Sequence, residues 1–122
     1  MVRVKQYLRR HALRFETSEP GIETKDVYID RIRVGEYRVT FEPYDRAFIH
    51  WVGVRADYRG KGIGRQIVEK VLEDLRAQGI ALVRLDASPE AIGFWEKMGF
   101  TAFDEKYDPD RPRYIEPMEA LL

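Results

Sequence analysis

Apolar side chains recur at helical spacing over residues 3–15, where Val4, Tyr7, Leu8, His11, Ala12 and Phe15 share one side of a helical projection. That spacing predicts a short amphipathic helix. The polar run from Thr17 to Lys25 contains Pro20-Gly21, a turn signal. Strand-like runs follow near 27–34, 36–42 and 47–54. Gly35-Glu36 divides the first from the second, and Pro43-Tyr44-Asp45-Arg46 divides the second from the third. Both gaps suit antiparallel hairpins. The third run, Ala47-Phe48-Ile49-His50-Trp51-Val52-Gly53-Val54, is apolar on both faces, as a central strand of a covered sheet is.

The clearest periodicity runs from Ile63 to Gln78, with Ile63, Ile67, Val68, Val71, Leu72 and Leu75 as its buried stripe and Gly79 as its C-terminal cap. A second apolar strand, Ile80 to Asp86, follows directly. Ser88-Pro89 then opens another helix, with serine as the N-cap and proline at the first position. Its inward positions are Ala91, Ile92, Trp95 and Met98, and Gly99 ends it. Two more strands are expected near 101–107 and 112–119, joined by Asp108-Pro109-Asp110-Arg111-Pro112. Pro117 marks the last as an edge or bulged strand.

Composition narrows the chemistry. A chain of 122 residues suits one domain spanning 1–122, with 44% apolar residues to build its core. Lys+Arg and Asp+Glu are 21 each, so no bulk charge attracts nucleic acid or acidic membrane, and any basic site is local. The absence of cysteine removes disulfides, thiolate catalysis and Cys-ligated zinc. His11 and His50 lie far apart and give no metal-ligand spacing. The start, Met1-Val2-Arg3-Val4-Lys5, lacks a signal-like apolar stretch, and no run approaches the ~20 residues of a membrane span. A cytoplasmic location is the expectation.

The candidate site lies between the third strand and the long helix. Three glycines, Gly60, Gly62 and Gly64, sit in Arg59-Gly60-Lys61-Gly62-Ile63-Gly64 at the helix N-terminus. Backbone N–H groups and the helix dipole favour an anion there, and glycine lets it approach closely. Arg55, Arg59, Lys61 and Arg65 surround the turn, with Asp57 opposing them. The dinucleotide fingerprint G-x-G-x-x-G fails at Arg65, and no Gly-Lys-Ser/Thr is present for a Walker A loop. The spacing Arg59-x-x-Gly62-x-Gly64 resembles the R/Q-x-x-G-x-G/A pyrophosphate loop of the GCN5-related N-acetyltransferase (GNAT) family. Downstream, Ala91-Ile92-Gly93-Phe94-Trp95-Glu96-Lys97-Met98-Gly99-Phe100 resembles that family's A-x-x-F-Y-E-K-x-G-F segment, in the same order and with a helix and strand between. The resemblance covers about residues 27–122.

It implies an α/β (α+β) domain with a mixed central sheet of about six strands, helices on both faces and a shortened N-terminal region. It also implies acetyl-CoA as cosubstrate, an amine as acceptor, and acetyl transfer as the activity. The pyrophosphate would lie on residues 59–64 (Arg59, Gly60, Lys61, Gly62, Ile63, Gly64) with Arg65 beside it, and the pantetheine arm along Val52 to Val54. Ser88 stands where many members carry a cofactor-contacting asparagine. Trp95 stands where members carry the tyrosine that protonates the leaving thiolate; an indole N–H donates a hydrogen bond but no proton. Tyr58, Tyr107 and Tyr114 are the remaining candidate acids.

A lysine-like amine, with a pKa of about 10.4, is almost wholly protonated at neutral pH, so transfer needs a base or a water chain leading to one. His50 is the candidate, with Glu36, Glu42 and Asp45 as alternatives; a core histidine bonded to a carbonyl is the structural counterpart. Only about 26 residues precede the strand near 27. That leaves the acceptor wall thin, open to a peptide or small amine, or completed by a second subunit in a homodimer. The alternative function is a non-catalytic acyl-CoA-binding or interaction module on the same fold.

Overall fold

The computed structural model describes residues 13–17, 23–103 and 115–122. Its chain begins with the edge strand β1 (Arg14–Thr17), which pairs antiparallel with β2 (Glu23–Ile29). The helix expected over 3–15 therefore does not extend to its end: Arg14 and Phe15 are extended and hydrogen-bonded to a neighbouring strand. Sheet pairing overrides a helical spacing that Phe15 satisfies equally well from a strand, where its ring meets Tyr37 edge-on at 6.0 Å. Residues 3–12 lie outside the described residues.

Val27 and Ile29, Tyr37 and Val39, and Ala47 and Ile49 are buried on one side of β2, β3 (Ile32–Glu42) and β4 (Arg46–Val54). The β3–β4 turn falls at Pro43 to Asp45 as expected, with Tyr44 and Asp45 at φ 66° and 57°. The β2–β3 turn does not fall at Gly35-Glu36. It lies at Asp30-Arg31, with Asp30 at φ 53°, and Gly35 sits inside β3 opposite Val27 and Val54. A Cβ on Gly35 would collide with the carbonyl oxygen of Gly53 and lie 3.2 Å from Ile67 Cδ1. This glycine serves close approach, not a turn.

The helix α1 (Ile63–Ala77) buries the six residues of the expected stripe. Each large side chain in that stripe contributes about 1.5–3 kcal/mol by leaving water. Gly79, at φ 83°, follows its C-cap. The chain returns as β5 (Leu82–Ala87), parallel to β4. The next helix is shorter than expected. Pro89–Ala91 forms a 3-10 turn, α2 proper is Ile92–Lys97, and Trp95 is its one buried residue; Ala91, Ile92 and Met98 are half-buried. The chain ends in β6 (Thr101–Ala102) and β7 (Glu116–Leu121). The turn expected at 108–112 lies outside the described residues.

The sheet is mixed and has seven strands, in the order β1-β2-β3-β4-β5-β7-β6. β7 is interior, and Pro117 turns its N–H side toward β6 and away from β5. Its carbonyl accepts Phe103 N at 3.3 Å, but it has no N–H to return that bond, and the β6 register ends at Ala102↔Met118. Among the described residues, α1 and α2 pack on the same sheet face, where Phe94 of α2 lies in van der Waals range of Gly64 in α1. No helix among them is long and apolar enough to cross a membrane.

Candidate active site

The site begins where two parallel strands part. β4 and β5 pair from Arg46↔Leu82 to Ile49↔Leu85, yet β4 runs on to Val54 and β5 to Ala87. From His50 onward, the edge of β4 that faces β5 has no strand partner among the described residues. On the β3 side, Arg38 pairs with Trp51 and Val39 with Ile49, so His50 is the extra residue of a β-bulge. A bulge bends its strand and increases its twist. Here it falls at the point where β4 turns away from β5.

Beyond Val54 the chain makes a 3-10 turn, Ala56–Tyr58, then the glycine loop. Gly60 and Gly62 have φ 75° and 81°, conformations that side chains with a Cβ rarely adopt. Gly62 is the N-cap of α1 and brings no side chain to cap it. The first helical bond runs from Gln66 N to Gly62 O at 3.1 Å. Among the described residues, the N–H groups of Ile63, Gly64 and Arg65 have no partner.

The basic cluster is more committed than the sequence suggested. Arg59 Nε donates to the Val54 carbonyl at 3.0 Å and pins the loop to the end of β4. Arg55 meets Asp57 at 3.2 Å, and Arg65 meets Glu69, one helical turn away, at 2.9 Å. Glu69 is thus a second opposing carboxylate. Lys61 makes no ion pair among the described residues.

Between these features lies a cleft of about 830 Å³. One wall is Val52, Gly53 and Val54; its end is the loop with Ile63, Gly64 and Arg65; the far wall is Ser88, Ala91, Phe94, Trp95, Lys97 and Met98. Of the expected cofactor-binding residues, Val52, Val54, Arg59, Gly60, Gly62, Ile63, Gly64, Arg65, Ser88 and Trp95 line it, and Lys61 does not. Gly53, within the expected Val52 to Val54 edge, lines it too, and so do Ala91, Phe94, Lys97 and Met98, which stand in the 91–100 segment that carries the family resemblance but are not expected there as contacts. Tyr58, weighed only as a proton donor, also lines the cleft.

Ser88 corrects an expectation. It occupies the N-cap position, but its hydroxyl makes no capping hydrogen bond. Trp95 is 8% exposed, with Phe94 and Phe100 edge-on at 5.0 and 5.3 Å. Most of its surface is packing.

His50 does not line the cleft. It lies exposed on the opposite sheet face, with Nε2 2.9 Å from Thr40 Oγ1 and its ring 4.9 Å from that of Phe48. The core-histidine alternative does not describe it. Of the other candidate bases, Glu36 lies across Gly53 and is held by Arg33 at 2.8 Å. Arg33 also meets Asp26 at 2.9 Å; that hydrogen bond first, then the charge of Glu36, raises its pKa above the ordinary guanidinium value. Glu42 and Asp45 are exposed at the β3–β4 turn, away from the end of the β4–β5 pairing. Tyr107 and Tyr114 lie outside the described residues.

Residues 7–100 match the family model described as Acetyltransferase (GNAT) family. The match starts well before residue 27 and takes in β1. An uncharacterized N-acetyltransferase ycf52 of Pyropia yezoensis is 31% identical over 77 residues, 63% of this chain and 41% of that protein. Serotonin N-acetyltransferase 2, chloroplastic, of Oryza sativa subsp. japonica is 36% identical over 62 residues, 51% of this chain and 28% of that protein. The matched stretches thus span less than half the length of either relative. Among solved structures, a Bacillus subtilis acetyltransferase in complex with CoA superposes with a TM-score of 0.74 at 16% identity, covering 91% of this chain and 99% of that one. The fold, the split strands with their glycine loop, and the family match agree: the chain belongs to the GNAT acetyltransferase family.

Proposed function

We propose that this protein is an acetyl-CoA-dependent N-acetyltransferase acting on an amine. The parting of β4 from β5 at Ile49↔Leu85, above a helix N-terminus with free N–H groups, carries the reading. The cleft suits the cosubstrate in size, and each segment of it meets a matching surface. The N–H groups of the 59–64 loop and the α1 dipole take the pyrophosphate. The unpaired edge of Val52 to Val54 offers ladder hydrogen bonds to the amides of the pantetheine arm. Phe94, Trp95 and Met98 form the apolar opposite wall, and the Ser88 hydroxyl is an additional donor.

Acetyl-CoA supplies a thioester whose carbonyl carbon accepts the amine nitrogen as its C–S bond breaks and the thiolate leaves. His50 takes the proton that the amine must lose, directly or through water. With Nε2 bonded to Thr40, the tautomer that leaves Nδ1 free to accept a proton has Nε2–H donating to the hydroxyl oxygen. Trp95 has no proton to give the thiolate, and Tyr58, a candidate acid, lines the same cleft. A thiol with an ordinary pKa of about 8.5 leaves tolerably without one.

The burial of Trp95 at the usual acid position favours one competing reading, a non-catalytic acyl-CoA-binding module. Two measurements separate them. Thermal unfolding with acetyl-CoA, coenzyme A and ATP tests the cleft: both coenzyme forms should stabilise by about 2.7 kcal/mol at a hundredfold excess over Kd, and ATP should not. Thiol release with a panel of amines tests transfer. Stabilisation without release from any amine would replace the enzyme with the binding module.

A further inference from the structure

The sheet face opposite α1 holds a guanidinium that nothing in the described structure neutralises. Arg38 pairs across β3–β4 with Trp51, two residues past the last β4–β5 pair at Ile49. Its Nε is buried and has no hydrogen-bond partner among the described residues, and its guanidinium carbon lies 5.4 Å from the centre of the Trp51 ring. Two other arginines on this face are answered by carboxylates. Arg33 meets Asp26 and Glu36, and Arg84 Nε reaches Glu119 at 3.5 Å, close enough for an ion pair although not aligned as a hydrogen bond.

A buried donor without an acceptor is costly, and a guanidinium is built to take a planar or tetrahedral anion through two parallel bonds. The surroundings mark this one as a ligand seat. Trp51 is 42% exposed beside it and presents an aromatic face. His50, the assigned base, is the adjacent residue, and Thr40 holds its ring from β3. A purely cationic amine arriving here would meet that positive charge. An amine that also carries a negative group would offset it at the guanidinium.

We infer that the acceptor amine carries an anionic group, a carboxylate or a phosphate, which seats on Arg38 beside Trp51 while the amine nitrogen meets His50. The inference rests on the transferase reading, and it makes Arg38 a specificity-determining residue. Polyamines and simple arylalkylamines become the disfavoured class.

Matched acceptors test it: β-alanine against propylamine for the carboxylate, and O-phosphoethanolamine against ethanolamine for the phosphate. The wild type should favour the anionic member of at least one pair by about tenfold to a hundredfold in kcat/KM, and the pair that shows it identifies the anion. Arg38→Gln should erase that preference through KM, and Arg38→Lys should keep part of it. Acetyl-CoA stabilisation of each variant serves as the folding control. A wild-type preference for the neutral partner in both pairs, or an anionic preference that survives Arg38→Gln, overturns the proposal. If no amine turns over, the transferase reading fails by itself. The seat is then read from thermal shifts with O-phosphoethanolamine and β-alanine in the presence of coenzyme A. A shift in the wild type that Arg38→Gln abolishes supports the seat; equal shifts, or none, overturn it.

Discussion

Gly35 and Gly53 approach so closely across β3 and β4 that a single methyl on Gly35 would collide with the Gly53 carbonyl. Gly53 also forms part of the cleft wall, so this contact joins the sheet core to the cleft. Ile67 of α1 closes the remaining space, leaving the new atom nowhere to go. Gly35→Ala should destabilise by about 1–3 kcal/mol through overpacking. The denaturant midpoint should fall with an unchanged slope, and acetyl-CoA affinity should weaken with it. Unchanged stability would show that the two strands separate more easily than their packing implies.

The loop glycines differ in what they do. Gly62 has open space around a Cβ but a left-handed φ, so alanine there is strained by about 1–2 kcal/mol. A loop that relaxes to escape the strain must regain its shape on binding. Gly62→Ala should therefore raise the acetyl-CoA dissociation constant about tenfold. At Gly64, an added Cβ would make ordinary contacts with Phe94 and Val54 at 3.5 and 3.6 Å. Gly64→Ala should bind nearly as wild type. Calorimetric titration of both variants compares them, and equal losses would contradict the distinction.

These differences explain which features could be read in advance. The stripe of α1 was legible because a fifteen-residue helix repeats one spacing several times and Gly79 marks its end. The glycine loop at the head of α1 was legible because its glycines and cations fall within one short run, Arg59 to Arg65. Gly35 was misread because glycine serves both turns and close approaches, and only the neighbouring strand tells them apart. The β2–β3 turn was hidden because Asp30-Arg31 carries a positive φ on an aspartate rather than a glycine. The bulge at His50 is a mismatch of register between two strands, which neither strand's own sequence contains. Likewise, the Arg38 Nε left without a partner among the described residues and the engaged side chains of Arg55, Arg59 and Arg65 depend on what folding brings together.

Ser88 offers a test of cap against ligand. Removing an N-cap hydroxyl usually costs about 1 kcal/mol. Ser88 makes no capping bond, so Ser88→Ala should change stability by less than about 0.5 kcal/mol. Acetyl-CoA affinity should nevertheless fall about fivefold, the worth of one hydrogen bond. Chemical denaturation with and without ligand measures both. A large loss in the free protein together with unchanged affinity would return Ser88 to a structural role.

The pair His50 and Thr40 predicts a graded response. His50→Gln should lower kcat by about 10²–10⁴. Thr40→Val removes only the ring's partner at 2.9 Å and should cost about fivefold. Neither change should alter stabilisation by coenzyme A. An unchanged kcat in His50→Gln would transfer the role to another group, with Glu36 across Gly53 the next to replace.

Trp95 separates packing from chemistry at the position where the family usually keeps a proton donor. Its ring fills the space between Phe94 and Phe100 and helps to shape the far wall of the cleft. Trp95→Ala should empty that space and cost about 3–5 kcal/mol. Trp95→Phe keeps an aromatic ring, loses the indole N–H, and should cost about 1–2 kcal/mol. If the indole only packs, kcat for Trp95→Phe should stay within a few fold of the wild type at every pH. If the N–H steadies the departing thiolate by a hydrogen bond, kcat should fall about tenfold while the KM for acetyl-CoA holds, the mark of an interaction made only in the transition state. The packing assignment requires the first result, and a drop beyond tenfold would give the indole a direct part in the departure of the thiolate.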